Sequence, residues 1–384
     1  MLAAIATGAV AFAAWIYLAA ARGRFWNVRD APVPSGSPDA TVAVVIPARN
    51  EAAHIGAAIR SLSGQHYAGP VSIFVVDDNS SDGTSEAARA ASSKALVVTG
   101  EPLPAGWTGK MWAVHQGVDR AFSSKPDYLL LTDADVVHGP DTIRGLVARA
   151  EQESLDLVSH MVLLRARSLP ERLLIPAFIF FFLKLYPPAW IADPKRRTAG
   201  AAGGCILIRR GALERVGGIA AIRGKLIDDC ALARRVKDTG GRIWMGLTRS
   251  AHSTREYASF GEIWRMISRT AFTQLNHSPV LLAGTVAGML LIYAGPVAVL
   301  LSPTRTAAAL GTAAWVLMSG LYAPMLRFYR LPVSYAPLLP TIALFYTAAA
   351  VDSAVGHYSG RGGLWKDRTI APSARRREAG RDTA

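Results

Sequence analysis

Cysteine is scarce in this chain, with only Cys205 and Cys230 in 384 residues. Two such thiols make neither a disulfide framework nor a C-x-x-C metal knuckle, and they read as buried thiols on the reducing side of a membrane. Acidic residues are also short: 28 Asp and Glu stand against 42 Lys and Arg, a formal charge of +14. A basic excess can serve nucleic acid, but no reader motif is present and the arginines scatter through loops and the C-terminal tail. No nucleic-acid partner is expected. The 51% hydrophobic content turns the excess toward a membrane with anionic lipid instead. The stretch 40–276 has no low-complexity segment and no obvious internal repeat. A Walker loop is missing as well, since "GWTGKMWAVHQG" (106–117) lacks the G-x-x-x-x-G-K-[ST] spacing.

Long apolar runs are what the sequence does have. Residues 2–21, "LAAIATGAVAFAAWIYLAAA", carry no charge and are followed by Arg22 and Arg24. At 1.5 Å per residue that run spans a bilayer core of roughly 30 Å. It lacks the basic n-region and short core of a cleaved signal peptide. An uncleaved anchor over 1–22 is expected, its C-terminal end held in the cytoplasm by the arginines. Three more runs, 280–301, 307–326 and 332–351, make a C-terminal membrane region over 280–352. Pro332, Pro337 and Pro340 suggest that the third is kinked or re-entrant. Two complete spans plus one re-entrant segment would keep the basic tail (353–384) inside. The apolar stretch 173–190 is broken by Pro176, Lys184, Pro187 and Pro188. It reads as an interfacial helix with Trp190 and Tyr186 near the headgroups, or else as an internal core helix.

The stretch 40–276 between these regions alternates strand and helix patterns. Strands are expected at 41–46, 71–76, 95–98, 128–131 and 155–164, with helical spacing in Ala52, Ile55, Ile59 and Leu62 and a short helix over 85–91. Such alternation implies an α/β fold, a largely parallel sheet covered on both faces, with ligands beyond the carboxyl ends of the strands. Acidic clusters fall at those ends. Asp77 and Asp78 close the second strand, as either a polar turn or a ribose- or base-binding carboxylate. Asp133 and Asp135 in "TDADVVH" are two apart and share a direction on an extended chain. They read as an exposed strand end or as ligands of Mg²⁺ or Mn²⁺, which prefer carboxylate oxygen. His138 is a further candidate ligand, or a hydrogen-bonded loop histidine. "KLIDDCALARRVKDTGG" (225–241) places Asp228 and Asp229 at the start of a helix, where they offset its dipole or supply a general base.

Together these motifs resemble the inverting, nucleotide-sugar-dependent glycosyltransferases of family 2, which have the GT-A fold. The matching pieces are "VVIPARNEA" (44–52), "VVDDNSSDGT" (75–84), "TDADV" (132–136), "AAGGCILIRR" (201–210) and "IDDCALARRV" (227–236), in the family's order. More narrowly, 106–117, 173–190 and "RTAFTQLNHSP" (269–279) look like the hopanoid-associated membrane glycosyltransferases of bacteria. The resemblance implies that Pro47, Arg49, Glu51 and Asp78 bind the donor nucleotide. It implies that Asp133 and Asp135 form the DxD motif, with Asp135 the more direct metal ligand, and that Asp229 is the catalytic base beside Asp228. Lys110 is expected to add positive charge at the diphosphate. Gly203, Gly204, Arg269 and Trp190 mark the acceptor region. The Q-x-x-R-W of polymer-making relatives is reduced here to "MISRT" (266–270), so a single transfer is expected. The implied partners are a nucleotide-sugar donor, by family habit a UDP-sugar, a lipid acceptor and the bacterial inner membrane, with the catalytic domain cytoplasmic. Polyprenyl-phosphate glycosyl transfer and a non-catalytic nucleotide-sugar-binding protein are the competing readings.

Overall fold

The structure, a computed structural model, describes residues 1–359. In chain order the elements are α1 (Leu2–Ala21), β1 (Val42–Ala48), α2 (Ala52–Ser63), β2 (Val71–Asp77), α3 (Thr84–Ala91) and β3 (Ala95–Thr99). Next come α4 (Gly109–Phe122), β4 (Tyr128–Leu131), β5 (Val136–Val137), α5 (Thr142–Gln152), β6 (Leu157–Leu163), α6 (Leu169–Leu185) and α7 (Pro188–Ala192). They are followed by β7 (Ile206–Arg209), α8 (Arg210–Arg215), α9 (Asp228–Asp238), β8 (Ile243–Ser253), α10 (Phe260–Ser268) and α11 (Ala271–Gln274). The chain closes with α12 (Pro279–Met289), α13 (Gly295–Ala298), α14 (Arg305–Phe328) and α15 (Leu339–Tyr358). Two units share them. Among the described residues, one takes Met1–Asp30, Arg165–Thr198 and 256–359; the other takes Ala31–Leu164 and Ala199–Arg255.

The second unit is built on one eight-stranded sheet in the order β3-β2-β1-β4-β7-β6-β8-β5. The sheet is mixed. β1 pairs in parallel with β2 and β4, β2 with β3, and β6 with β8, while β7 runs against both β4 and β6, and β5 against β8. Every residue of β1 and β4 is buried, which explains their unbroken apolar runs. Register then sets the site. Ala48 pairs with Asp77 and Val45 with Leu131, so the carboxyl ends of β1, β2 and β4 finish along one edge.

The first unit is helical. Five stretches among the described residues are long and apolar enough to cross a membrane: Leu2–Ala21, Leu169–Ala192, Pro279–Leu301, Arg305–Phe328 and Val333–Tyr358. Pro337 lies in a 3-10 turn ahead of α15 and Pro340 in its first turn, where a missing N–H costs little. Pro296 follows a π-turn over Leu290–Ala294 in a helical path that runs on to Leu301: it lacks the N–H that would meet the Ile292 carbonyl, and the Trp15 indole donates to that oxygen at 2.7 Å. α6 starts with a capping box in which Ser168 and Glu171 exchange backbone bonds, and buries Leu174, Ile175, Ile179, Phe180 and Leu183. Part of the 353–384 tail, residues 360–384, lies outside the described residues.

Candidate active site

Asp133 stands two residues past Leu131, level with Pro47, which stands two past Val45. Lys110 reaches the same place from α4. Its helix is started by Thr108, whose hydroxyl accepts from Met111 N at 3.2 Å. Lys110 Nζ lies 3.0 Å from Asp133 Oδ1 and 3.4 Å from Asp228 Oδ2. Asp228 and Asp229 open α9, where the helix's partial positive charge favours them. Asp229 accepts from Gly203 N at 3.0 Å and from Cys230 N at 2.7 Å. A Cβ at Gly203 would stand 3.3 Å from Lys110 Nζ and 3.5 Å from Asp229 Oδ2, so the backbone there lies close against both groups.

These residues line a small cavity, partly open to solvent, with Pro47, Met111, Leu131, Ile206, Ile219 and Leu232 as its apolar wall. The electrostatics follow from that wall. Burial raises the Asp229 carboxyl, and the Asp228 charge adds to it, against the pull of Lys110 and two N–H donors, to about 6. Burial also raises Asp133, opposed by Lys110 and reinforced by Asp135 and Asp228. For Lys110 burial alone would lower the ammonium, but Asp133, Asp228 and Asp229 outweigh it and hold the proton firmly.

Asp135 faces another network. Its Oδ2 accepts from Ser253 Oγ at 2.7 Å and from Arg255 Nε at 3.2 Å, and Arg255 also bonds Glu51. Of Asp133 and Asp135 the first is the more open, with 36% of its side chain exposed against 12%. Asp78 is buried at the end of β2, with Arg49 donating to its carbonyl at 2.5 Å and lying 3.7 Å from its carboxylate. Asp77 organises the turn, accepting from Ser80 N at 3.0 Å and from the Ser85 hydroxyl. The Gly204 carbonyl accepts from Thr132 Oγ1 at 2.8 Å. That hydroxyl has one proton to give, so His138 Nε2, 2.9 Å away, is the donor in their contact. Burial, with the charges of His160 and His252, drops His138 to about 3, and it is not among the residues that line the cavity. Arg269 and Trp190 belong to the helical unit.

Among the described residues no three His, Cys, Asp or Glu side chains converge as a metal cage. Mg²⁺ and Mn²⁺ do not need one, because one or two carboxylates suffice when phosphate and water fill the other positions. The open Asp133 side chain in the cavity fits that pattern. Arg255 is the residue that sequence reasoning missed; nothing local marks it, because its partners lie far away along the chain.

A family model described as "Glycosyltransferase like family 2" matches residues 38–273. A 4,4'-diaponeurosporenoate glycosyltransferase of Staphylococcus haemolyticus is 37% identical over 101 residues, and one of Staphylococcus aureus strain USA300 is 34% identical over 93. These matches span about a quarter of this chain and of each relative: 26% of both in the first case, 24% and 23% in the second. Among solved structures, a mannosyltransferase from Pyrobaculum calidifontis in complex with GDP-Man and Mn²⁺ shares the fold. Its TM-score is 0.56 at 20% identity, covering 91% of this chain and 97% of that one.

Proposed function

Because this chain belongs to glycosyltransferase-like family 2, we propose that it moves a sugar from a nucleoside-diphosphate donor, a UDP-sugar, to a lipid alcohol of the hopanoid class at the bacterial inner membrane. The observation that carries the reading is the cavity itself. One lysine bridges Asp133 to Asp228, with Asp229 beside them. The relatives named as 4,4'-diaponeurosporenoate glycosyltransferases and the apolar helices of this chain favour a lipid acceptor.

In this reading Asp229 takes the proton of the acceptor hydroxyl as that oxygen attacks the anomeric carbon from the face opposite the diphosphate, so configuration inverts. Gly203 N and Cys230 N fix the carboxylate's direction. Lys110 offsets negative charge on the departing diphosphate, and Asp133, joined by Asp135 were it to turn from Arg255, would hold a divalent cation, Mg²⁺ or Mn²⁺, that when bound would offset more of it. Pro47, Arg49, Glu51 and Asp78 hold the nucleotide. Asp229→Asn separates the roles. Transfer should fall by about 10²–10⁴ while donor binding by calorimetry stays within a factor of two or so. Loss of donor binding would refute the base assignment. Full transfer by the variant would favour a phosphate acceptor, which needs no strong base.

A further inference from the structure

Asp135 is fastened by three consecutive residues at and just past the end of β8. Thr254 donates to the Asp135 carbonyl twice, from its backbone N at 2.8 Å and from its hydroxyl at 3.0 Å. Ser253 Oγ donates to Asp135 Oδ2 at 2.7 Å. The sheet brings these segments together, since β5 pairs with β8 with Val136 opposite Ser253. These bonds fix where the carboxylate stands, and none of them carries charge. The third residue differs. Arg255 donates from Nε to the same Oδ2 at 3.2 Å and from a terminal nitrogen to Glu51 Oε1. Its side chain is 30% exposed, while Glu51 and Asp135 are both buried.

Charge decides what Arg255 does. Two buried carboxylates without a counter-cation would be costly, because each has given up hydration. The guanidinium supplies that cation by bonding both. A divalent ion on Asp135 would supply the same charge, and two cations on one buried carboxylate repel. Guanidinium and ion therefore exclude each other. Because Ser253 and Thr254 hold Asp135 in place, the parting of the two falls to Arg255, whose exposed side has water to move into. We infer that Arg255 is a resident counter-cation of Asp135 that exchanges with the divalent ion, so that this one side chain sets how tightly the free chain takes the metal. The inference deepens the proposed reaction and rests on it for the place of Asp135 at the cation.

Mn²⁺ binding to the full chain in detergent tests this with no nucleotide sugar present, read by loss of the free-ion signal in electron paramagnetic resonance. Arg255→Met should tighten Mn²⁺ at least about tenfold, the lower end of what a neighbouring guanidinium does to a carboxylate's hold on a proton. Adding Asp135→Asn to that chain should remove the gain. Arg255→Lys keeps the charge and should bind much as the parent does. Ser253→Ala takes a bond from the same oxygen but no charge, and should not tighten the ion. On the parent chain, saturating Mn²⁺ should raise dicarbonyl labelling of Arg255 in peptide mass spectrometry, which reads the release even should Arg255→Met fold poorly. Unchanged or weaker Mn²⁺ binding by Arg255→Met would overturn the exchange and leave Arg255 a strut for Asp135. Equal tightening by Ser253→Ala, or Arg255 labelling that Mn²⁺ leaves unmoved, would overturn it too. None of these outcomes touches the base role of Asp229, so the transfer reading fails or holds separately.

Discussion

Lys110 touches two carboxylates directly and acts on a third, so its removal is felt as a change in proton affinity. Asp229 must be ionised to accept a proton, and its carboxyl stands at about 6. Transfer rate should therefore fall as pH drops through about 6. The sign for stability is opposite. A folded-state pKa raised above the unfolded value means the fold binds the proton more tightly, so this residue favours folding as pH falls from 6 toward 4. Lys110→Met withdraws the charge that pulls Asp229 down. The midpoint of the rate profile should move above 6, and an unmoved midpoint would show that Lys110 does not tune the base. Arg255→Met removes the cation shared by buried Glu51 and Asp135 and should cost about 1–3 kcal/mol in chemical denaturation. The aspartates were legible because strand-end acids stand out against apolar runs. Arg255 and the His138–Thr132–Gly204 bonds were not, since each joins residues that only the folded sheet brings together.

At the level of elements, α4 is held against β1 and β2 by a glycine. A Cβ at Gly117 would fall 2.5 Å from Val45 Cγ1 and 3.1 Å from Val76 Cγ2. Gly117→Ala must push the helix outward, at about 1–3 kcal/mol, and the same displacement withdraws Lys110 from Asp133. A lowered thermal midpoint and a lowered turnover in the folded fraction should appear together; lost stability with full turnover would show that Lys110 tolerates the shift. The strands β1, β2 and β4 were readable within a residue or two because burial on both faces makes them continuously apolar. β8 was missed, for "IWMGLTRSAHS" carries arginine, histidine and serine through an 11-residue strand with exposed positions. The reversed direction of β7 left no local trace at all. Strand direction is decided by where the chain returns, which side-chain pattern does not encode.

Across the whole molecule, connectivity restrains the membrane topology more tightly than hydropathy does. The stretch Leu169–Ala192 is long and apolar enough to cross a bilayer. Yet β6 before it and β7 after it pair in one sheet, Ser159 with Ile206 and Leu157 with Ile208. A single crossing would put hydrogen-bonded partners on opposite sides of the membrane. In a bilayer the chain would have to come back on the side it left, so α6 and α7 would lie along the interface, enter and return, or pack inside the protein. Both native thiols are buried, which makes cysteine labelling clean. Single cysteines at Arg167 and Arg197, in whole cells and in inverted vesicles, should react with an impermeant maleimide from the same side. That side should be the cytoplasm, where Arg22 and Arg24 at the end of the first apolar helix belong. Labelling from opposite sides would break the pairing of β6 with β7, and with it the sheet on which Asp133, Lys110 and Asp229 are assembled.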